Sequence, residues 1–222
     1  MQMRKIIFGD YDTWVDWGLT LTGWQLSDPE YKSNFVSVPG RDGDLDLSTA
    51  LTDGEPRYNN RELTATFELS TGTRETRLLA FNQIVNTLDG RRVNITLPDD
   101  GTHYITGRLQ VAIDYNDLAH GALTITGICE PWRYAATAKT RTLTAGSTAQ
   151  TAILVNEGRR ILAPTVVISG TDASVTLAFG TNTWTLTAGT YSLPDLQLQP
   201  GNNSLTCSGT GTVTITWREA VL

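Results

Sequence analysis

Apolar and polar positions alternate with a period of two over residues 61–69. Leu63, Ala65, Phe67 and Leu69 fall on one side, Glu62, Thr64, Thr66 and Glu68 on the other. That alternation predicts a strand with one buried face. Shorter runs predict strands at 4–8, around Leu19 and Leu21, and from Val36 to Val38, and longer ones at 92–97, 103–115 and 121–129. Over residues 74–89 the period changes. Leu78, Phe81, Val85 and Leu88, widened by Ile84, form a stripe at helical spacing. Thr73 can cap the start of this helix, and Asp89-Gly90 can end it through a left-handed glycine. Pro98-Asp99-Asp100-Gly101 reads as a turn, and Asn116 to His120 as a polar connection.

After Glu130-Pro131-Trp132-Arg133-Tyr134 the texture shifts. Ala135-Ala136-Thr137-Ala138 reads as a linker, and the chain from Thr140 onward is Thr/Gly-rich, with short strands. These fall at 152–156, 165–169, 174–179, 183–187, 203–207 and 212–217, separated by Gly180-Thr181-Asn182, Ala188-Gly189 and Pro200-Gly201-Asn202. The expectation is a mainly β protein of two domains. Residues 1–134 form a β-sandwich-like domain with one α-helix and a projecting hairpin or arm, and residues 135–222 a small antiparallel β-sandwich without helix.

The arm is predicted from Val38-Pro39-Gly40-Arg41-Asp42-Gly43-Asp44-Leu45-Asp46-Leu47. Pro39 fixes φ near −65° and Gly40 accepts φ > 0, so the pair sets a turn; Asp42-Gly43 supplies a second reversal. Asp44, Leu45, Asp46 and Leu47 then alternate, with leucines to one side and aspartates to the other. An excursion with one greasy and one acidic face suits gripping a neighbouring subunit.

Composition narrows the chemistry. Of 222 residues 40% are apolar, only 18% are charged, and six are Trp, which suits packed β-structure. The net charge of −6 argues against a surface built to hold nucleic acid. The short apolar run at the N-terminus does not resemble a signal peptide, and no segment approaches a membrane span; the expectation is a chain made and folded in a cytoplasm. Cys129 and Cys207 are then read as free, buried thiols. His103 and His120 lack metal-ligand spacing with each other or with either cysteine, and no P-loop, G-x-G-x-x-G or G-x-S-x-G occurs. Asp42, Asp44 and Asp46, with Asp53 at the twelfth place, imitate a calcium loop, but Leu47 stands where the sharp turn needs glycine. Trp14, Trp17 and Trp24 read as core and interface anchors rather than a sugar platform, and Trp184 as a core residue. No cofactor and no metal is expected.

With these residues assembled, the chain resembles the distal tail proteins of long-tailed, non-contractile phages. The resemblance lies in 38–46, in Tyr58-Asn59-Asn60-Arg61 leading to Phe67, in Asn86-Thr87-Leu88-Asp89-Gly90, in Tyr104 with Gly107-Arg108, and in Cys129-Glu130-Pro131-Trp132-Arg133-Tyr134. It covers most of residues 1–134 and implies a structural, non-enzymatic virion protein of the tail tip. Such a protein forms a hexameric ring that connects the tail tube to the baseplate and continues the DNA channel. The C-terminal domain of that family is often galectin-like. Implied partners are further copies of the chain, the tail-tube protein, the tape-measure protein, the tail-associated hub protein and receptor-binding proteins. DNA passes without specific binding, and no membrane is entered. Subunit-interface candidates are Pro39, Gly40, Arg41, Asp42, Leu45, Leu47, Tyr58 and Arg61.

Two other readings stand beside this one. A carbohydrate-binding host-recognition module would use residues 136–222, and a glycan array on that segment separates the two. An enzyme such as a cell-wall hydrolase would need paired carboxylates, for which Asp99, Asp100 and Asp195 are the candidates, all in turns. Within the structural class, the alternative is the equivalent ring component of a contractile tail or of a tail-like bacteriocin.

Overall fold

The computed structural model describes residues 4–52, 54–69, 71–115 and 121–222. Asp53, His120 and the connection 116–120, all invoked above, lie outside the described residues. The chain divides between Arg133 and Tyr134 into two compact units.

The first unit is a curled antiparallel sheet closed over one helix. Its strands are β1 (Ile7–Phe8), β2 (Tyr11–Asp12), β3 (Thr20–Leu26), then, after a two-stranded ribbon of β4 (Phe35–Val36) and β5 (Leu45–Asp46), β6 (Arg61–Glu68), β7 (Arg92–Leu97), β8 (Asp100–Ile113) and β9 (Ala122–Ala135). Leaving the ribbon aside, the order is β2-β1-β7-β8-β9-β6-β3. The alternation in β6 is realised in full: Arg61, Leu63, Ala65 and Phe67 are buried, while Glu62, Thr64 and Glu68 are exposed. β9 pairs with β6 in register Leu63↔Gly127 and Phe67↔Leu123, so Leu123 and Ile125 join the same core.

Helix α1 spans Arg74–Leu88. The Thr73 hydroxyl accepts from the Thr76 N–H at 3.3 Å, which satisfies one of the orphan donors of the first turn. Phe81, Ile84 and Leu88 are buried, and each contributes roughly 1.5–3 kcal/mol by leaving water. The helix ends where Gly90 takes φ 70° and donates to the Leu109 carbonyl, which stitches its C-terminus to β8.

The second unit contains β10 (Lys139–Ala145), β11 (Gln150–Asn156), β12 (Thr165–Phe179), β13 (Asn182–Thr187), β14 (Gly189–Ser192), β15 (Gly201–Trp217) and β16 (Ala220–Val221). Here the sequence expectation needs correction. The predicted pairs 165–169 with 174–179, and 203–207 with 212–217, are single long strands with a bend rather than separate strands. Below the bend β15 pairs with β11 and with the second half of β12. Above it β15 pairs with β10 and with the first half of β12, the register shifting between Ser169 and Ser174. The sheet thereby folds over itself, and both halves feed one core: Leu154, Val175, Leu177 and Leu205 from one, Val166, Ile168, Val213 and Ile215 from the other. Trp184 is half-buried against this core. Both cysteines are buried and free, Cys129 in the first unit and Cys207 in the second.

Candidate subunit interface

Between β3 and β6 the chain leaves the sheet. Every residue from Glu30 to Asp44 is exposed, and nothing from this excursion enters the core of the unit. Its stem is a short antiparallel contact. Tyr31 and Tyr58 face each other as an isolated bridge, Lys32 N–H donates to the Arg57 carbonyl at 2.7 Å, and Asn59 N–H donates to Glu30 at 2.8 Å. Further out β4 and β5 pair in register Phe35↔Asp46 and Val36↔Leu45. Arg41 N–H donates to Val38 at 3.2 Å across the Pro39-Gly40 turn, and Gly40 and Gly43 take φ of 81° and 71° with open space where a Cβ would stand. Their role is conformational, as the turn chemistry predicted.

Apolar side chains of the excursion stand in water on both of its faces, Val36 with Leu45 on one and Phe35 beside Asp46 on the other. Phe35 is 53% exposed and Leu51 99%, and Val36, Val38, Leu47 and Tyr31 are also exposed. Leu45 is half-covered, opposite Val36. An apolar surface of this kind on a thin projection marks an interaction site. The acidic side is ordered by local bonds. Asp46 accepts from the Ser48 N–H at 2.9 Å, the Ser48 hydroxyl accepts from the Asn34 N–H at 2.9 Å, and the bonds from Ser48 hold the Asp46 carboxyl below its usual value. Asp42, Asp44 and Asp46 do not converge as ligands, and among the described residues no three His, Cys, Asp or Glu side chains gather as a metal site.

The proposed interface residues thus separate into two groups. Pro39, Gly40, Arg41, Asp42, Leu45 and Leu47 lie on the ribbon, whereas Tyr58 and Arg61 lie at its root. Tyr58 packs edge-on against Trp132 of β9, ring centroids 5.6 Å apart at 81°. Arg61 is buried, and its Nε donates to the Ser27 carbonyl at 2.6 Å. Burial, reinforced by Arg133 nearby, holds the guanidinium below its ordinary pKa, with Asp28 acting against this. Arg61 therefore anchors the arm and does not face outward. Its parity with Leu63 and Phe67 was the signal for this in the sequence.

The residues weighed for catalysis form a structural tie. Asp100 Oδ1 accepts from the Thr102 hydroxyl at 2.7 Å and lies 3.1 Å from His103 Nδ1, while Oδ2 accepts from Arg133 at 3.2 Å. Burial pushes this carboxyl up, but the bonds from Thr102 and His103 outweigh it and hold it below the usual carboxylate value. Asp99 lies 3.7 Å from Arg4, and Asp195 belongs to the other unit. Trp17 and Trp24 are half-buried against the first core, and Tyr11 stacks on Trp17 at 5.2 Å.

No known family's sequence profile matches the chain, and no curated protein sequence does. Among solved structures the chain is similar to the SPP1 Dit (gp 19.1) protein, described as a paradigm of the hub adsorption apparatus in phages infecting Gram-positive bacteria. The two share 17% identity with a TM-score of 0.68, over 98% of this chain and 99% of that one. The chain therefore has the fold of that hub protein: mainly β, one helix, curled antiparallel sheets.

Proposed function

We propose that this protein is a structural component of a phage tail tip, assembling through the arm into a ring, hexameric in the family it resembles. The observation that carries this reading is the arm, an excursion with exposed apolar side chains that adds no residue to the core of its own unit and is fixed at its root by Tyr58 and Arg61. The fold likeness to a phage hub protein over nearly the whole of both chains supports it. In this reading residues 1–134 form the ring, residues 135–222 form an outward domain, and the ring joins the tail tube to the baseplate in the virion. The tail-tube, tape-measure and hub proteins are its neighbours. The work is geometric and no bond chemistry is required. An acidic chain of net charge −6 suits a conduit through which DNA must slide without being held.

Light scattering of the purified protein, or images of its particles, tests this. A closed ring of identical subunits is expected, in solution or in assembled tails. A monomer under both conditions overturns the reading.

A further inference from the structure

We infer that the arm of one copy seats in a groove of the next copy formed by β1, β2 and the C-terminal end of α1. This rests on the arm being the subunit-joining element and names the surface that receives it. The arm leaves from β3 and β6, neighbours at one end of the strand order; the groove is built at the other end, by β1 and β2. Donor and receiver are thus different parts of the unit, as a head-to-tail contact requires. The groove holds about 380 Å³, room for a few side chains. Its apolar lining includes Tyr11, 43% exposed, and half-buried Val93. These offer cover to Val38 beside the turn of the ribbon, 38% exposed.

Charge at this groove complements the tip of the arm. It displays Asp10 beside Arg91, both exposed, and neither is bonded to an oppositely charged side chain among the described residues. The tip of the arm displays Arg41 beside Asp42, with Asp44 close behind, equally exposed and equally without an ion-pair partner. A basic–acidic step on the arm meets an acidic–basic step in the groove, which fixes register as well as attraction. The larger concavity on the outer sheet face, about 980 Å³ around Ile128, is the poorer match. Its Arg92 is already paired with Glu130, and the Arg108 guanidinium donates to the Gly90 carbonyl at 2.5 Å.

Charge reversal with rescue tests the assignment in the full chain, with thermal melting as the folding control; all the changed residues are exposed. Arg41→Glu with Asp42→Arg, and separately Asp10→Arg with Arg91→Glu, are each expected to weaken self-association about tenfold or more. All four changes together are expected to restore it. If the groove reversal leaves association intact, or the fourfold variant is not rescued, the groove is not the receiver, although the ring reading survives. If replacing residues 37–44 by a short turn leaves the oligomer unchanged, the arm does not join subunits, and the groove assignment falls together with the arm's part in the proposed function.

Discussion

Tyr58 meets Trp132 edge-on, ring centroids 5.6 Å apart, at the point where the arm rejoins the sheet. The contact ties the returning stem to β9, so the projection is hinged at a fixed angle. An aromatic pair of this geometry contributes about 0.5–1.5 kcal/mol beyond its buried area. Tyr58→Ala is therefore expected to cost the unit about 1–2 kcal/mol and to loosen the arm as a whole. Limited proteolysis checks it: cleavage between residues 30 and 57 should speed up severalfold while the rest of the unit stays protected. Unchanged cleavage would mean that the bridge and the Lys32–Arg57 bond suffice alone.

Arg61 presents an asymmetric case. Its Nε is bonded to Ser27, but its buried Nη1 has no partner among the described atoms. A buried cation with an unmet donor offsets part of what its packing and its one bond contribute. Arg61→Ala, which also removes the packed stem, is expected to destabilise by about 2–4 kcal/mol, whereas Arg61→Met, which keeps the stem volume, should cost under about 1 kcal/mol. Denaturant midpoints of the two variants separate the terms, and equal losses would show that the guanidinium itself holds the fold.

Where a single rule governed a segment, its structure was legible in the sequence. The 3.6 spacing from Leu78 to Leu88 and the alternation from Leu63 to Phe67 are unopposed by any other pattern, and both elements stand where they were expected. Pro39-Gly40 and Asp42-Gly43 likewise announced the reversals that shape the ribbon. The second unit misled at Gly170 and at Gly209–Gly211, because a bend within a strand uses the same residues as a turn between strands. Only the pairing of both halves of β12 with one β15 distinguishes the two cases. Arg61 was harder to place for a different reason. It entered the interface candidates with Tyr58-Asn59-Asn60 through the resemblance, while its parity with Leu63 puts its side chain inside its own unit, because the backbone cannot turn one side chain outward without turning its neighbours.

Cys129 yields a pH prediction. Burial pushes its thiol up from 9.0 to about 11, with Arg61 acting weakly against the shift. A folded pKa above the unfolded value means that the folded state holds its proton longer. The associated stability is complete below pH 9 and is lost as pH rises toward about 11. Unfolding of the first unit, followed by denaturant titration from pH 8 to 11, should show this decline. Cys129→Ala should start lower, because a cavity opens, and decline less steeply over the same window. A parallel slope would assign the alkaline loss to other groups.

Leu45 and Leu47 separate assembly from folding. Both lie on a ribbon that covers no core, Leu45 half-covered and Leu47 36% exposed. Leu45→Asp with Leu47→Asp should shift the melting midpoint by only a few degrees while weakening self-association by tenfold or more, since a charge forced into an apolar contact costs more than one left in water. Equal loss of folding and assembly would mean that the segment belongs to its own core.

Gly209 is the position on which the doubling of the second sheet turns. Its φ is 113°, a conformation that L side chains rarely adopt, and a Cβ built there would stand 2.1 Å from the Ser174 carbonyl oxygen. Strain and collision are thus independent, and because the obstructing atom is backbone on the paired strand, no rotamer change relieves it. Gly209→Ala should therefore destabilise the second unit by at least about 2–3 kcal/mol. The loss should be confined there: Trp184 and Trp217 emission should report earlier unfolding while the far-ultraviolet signal of α1 persists to its former midpoint. An unperturbed second unit would show that the bend does not need this backbone geometry. Simultaneous loss of both signals would show instead that the two units unfold as one.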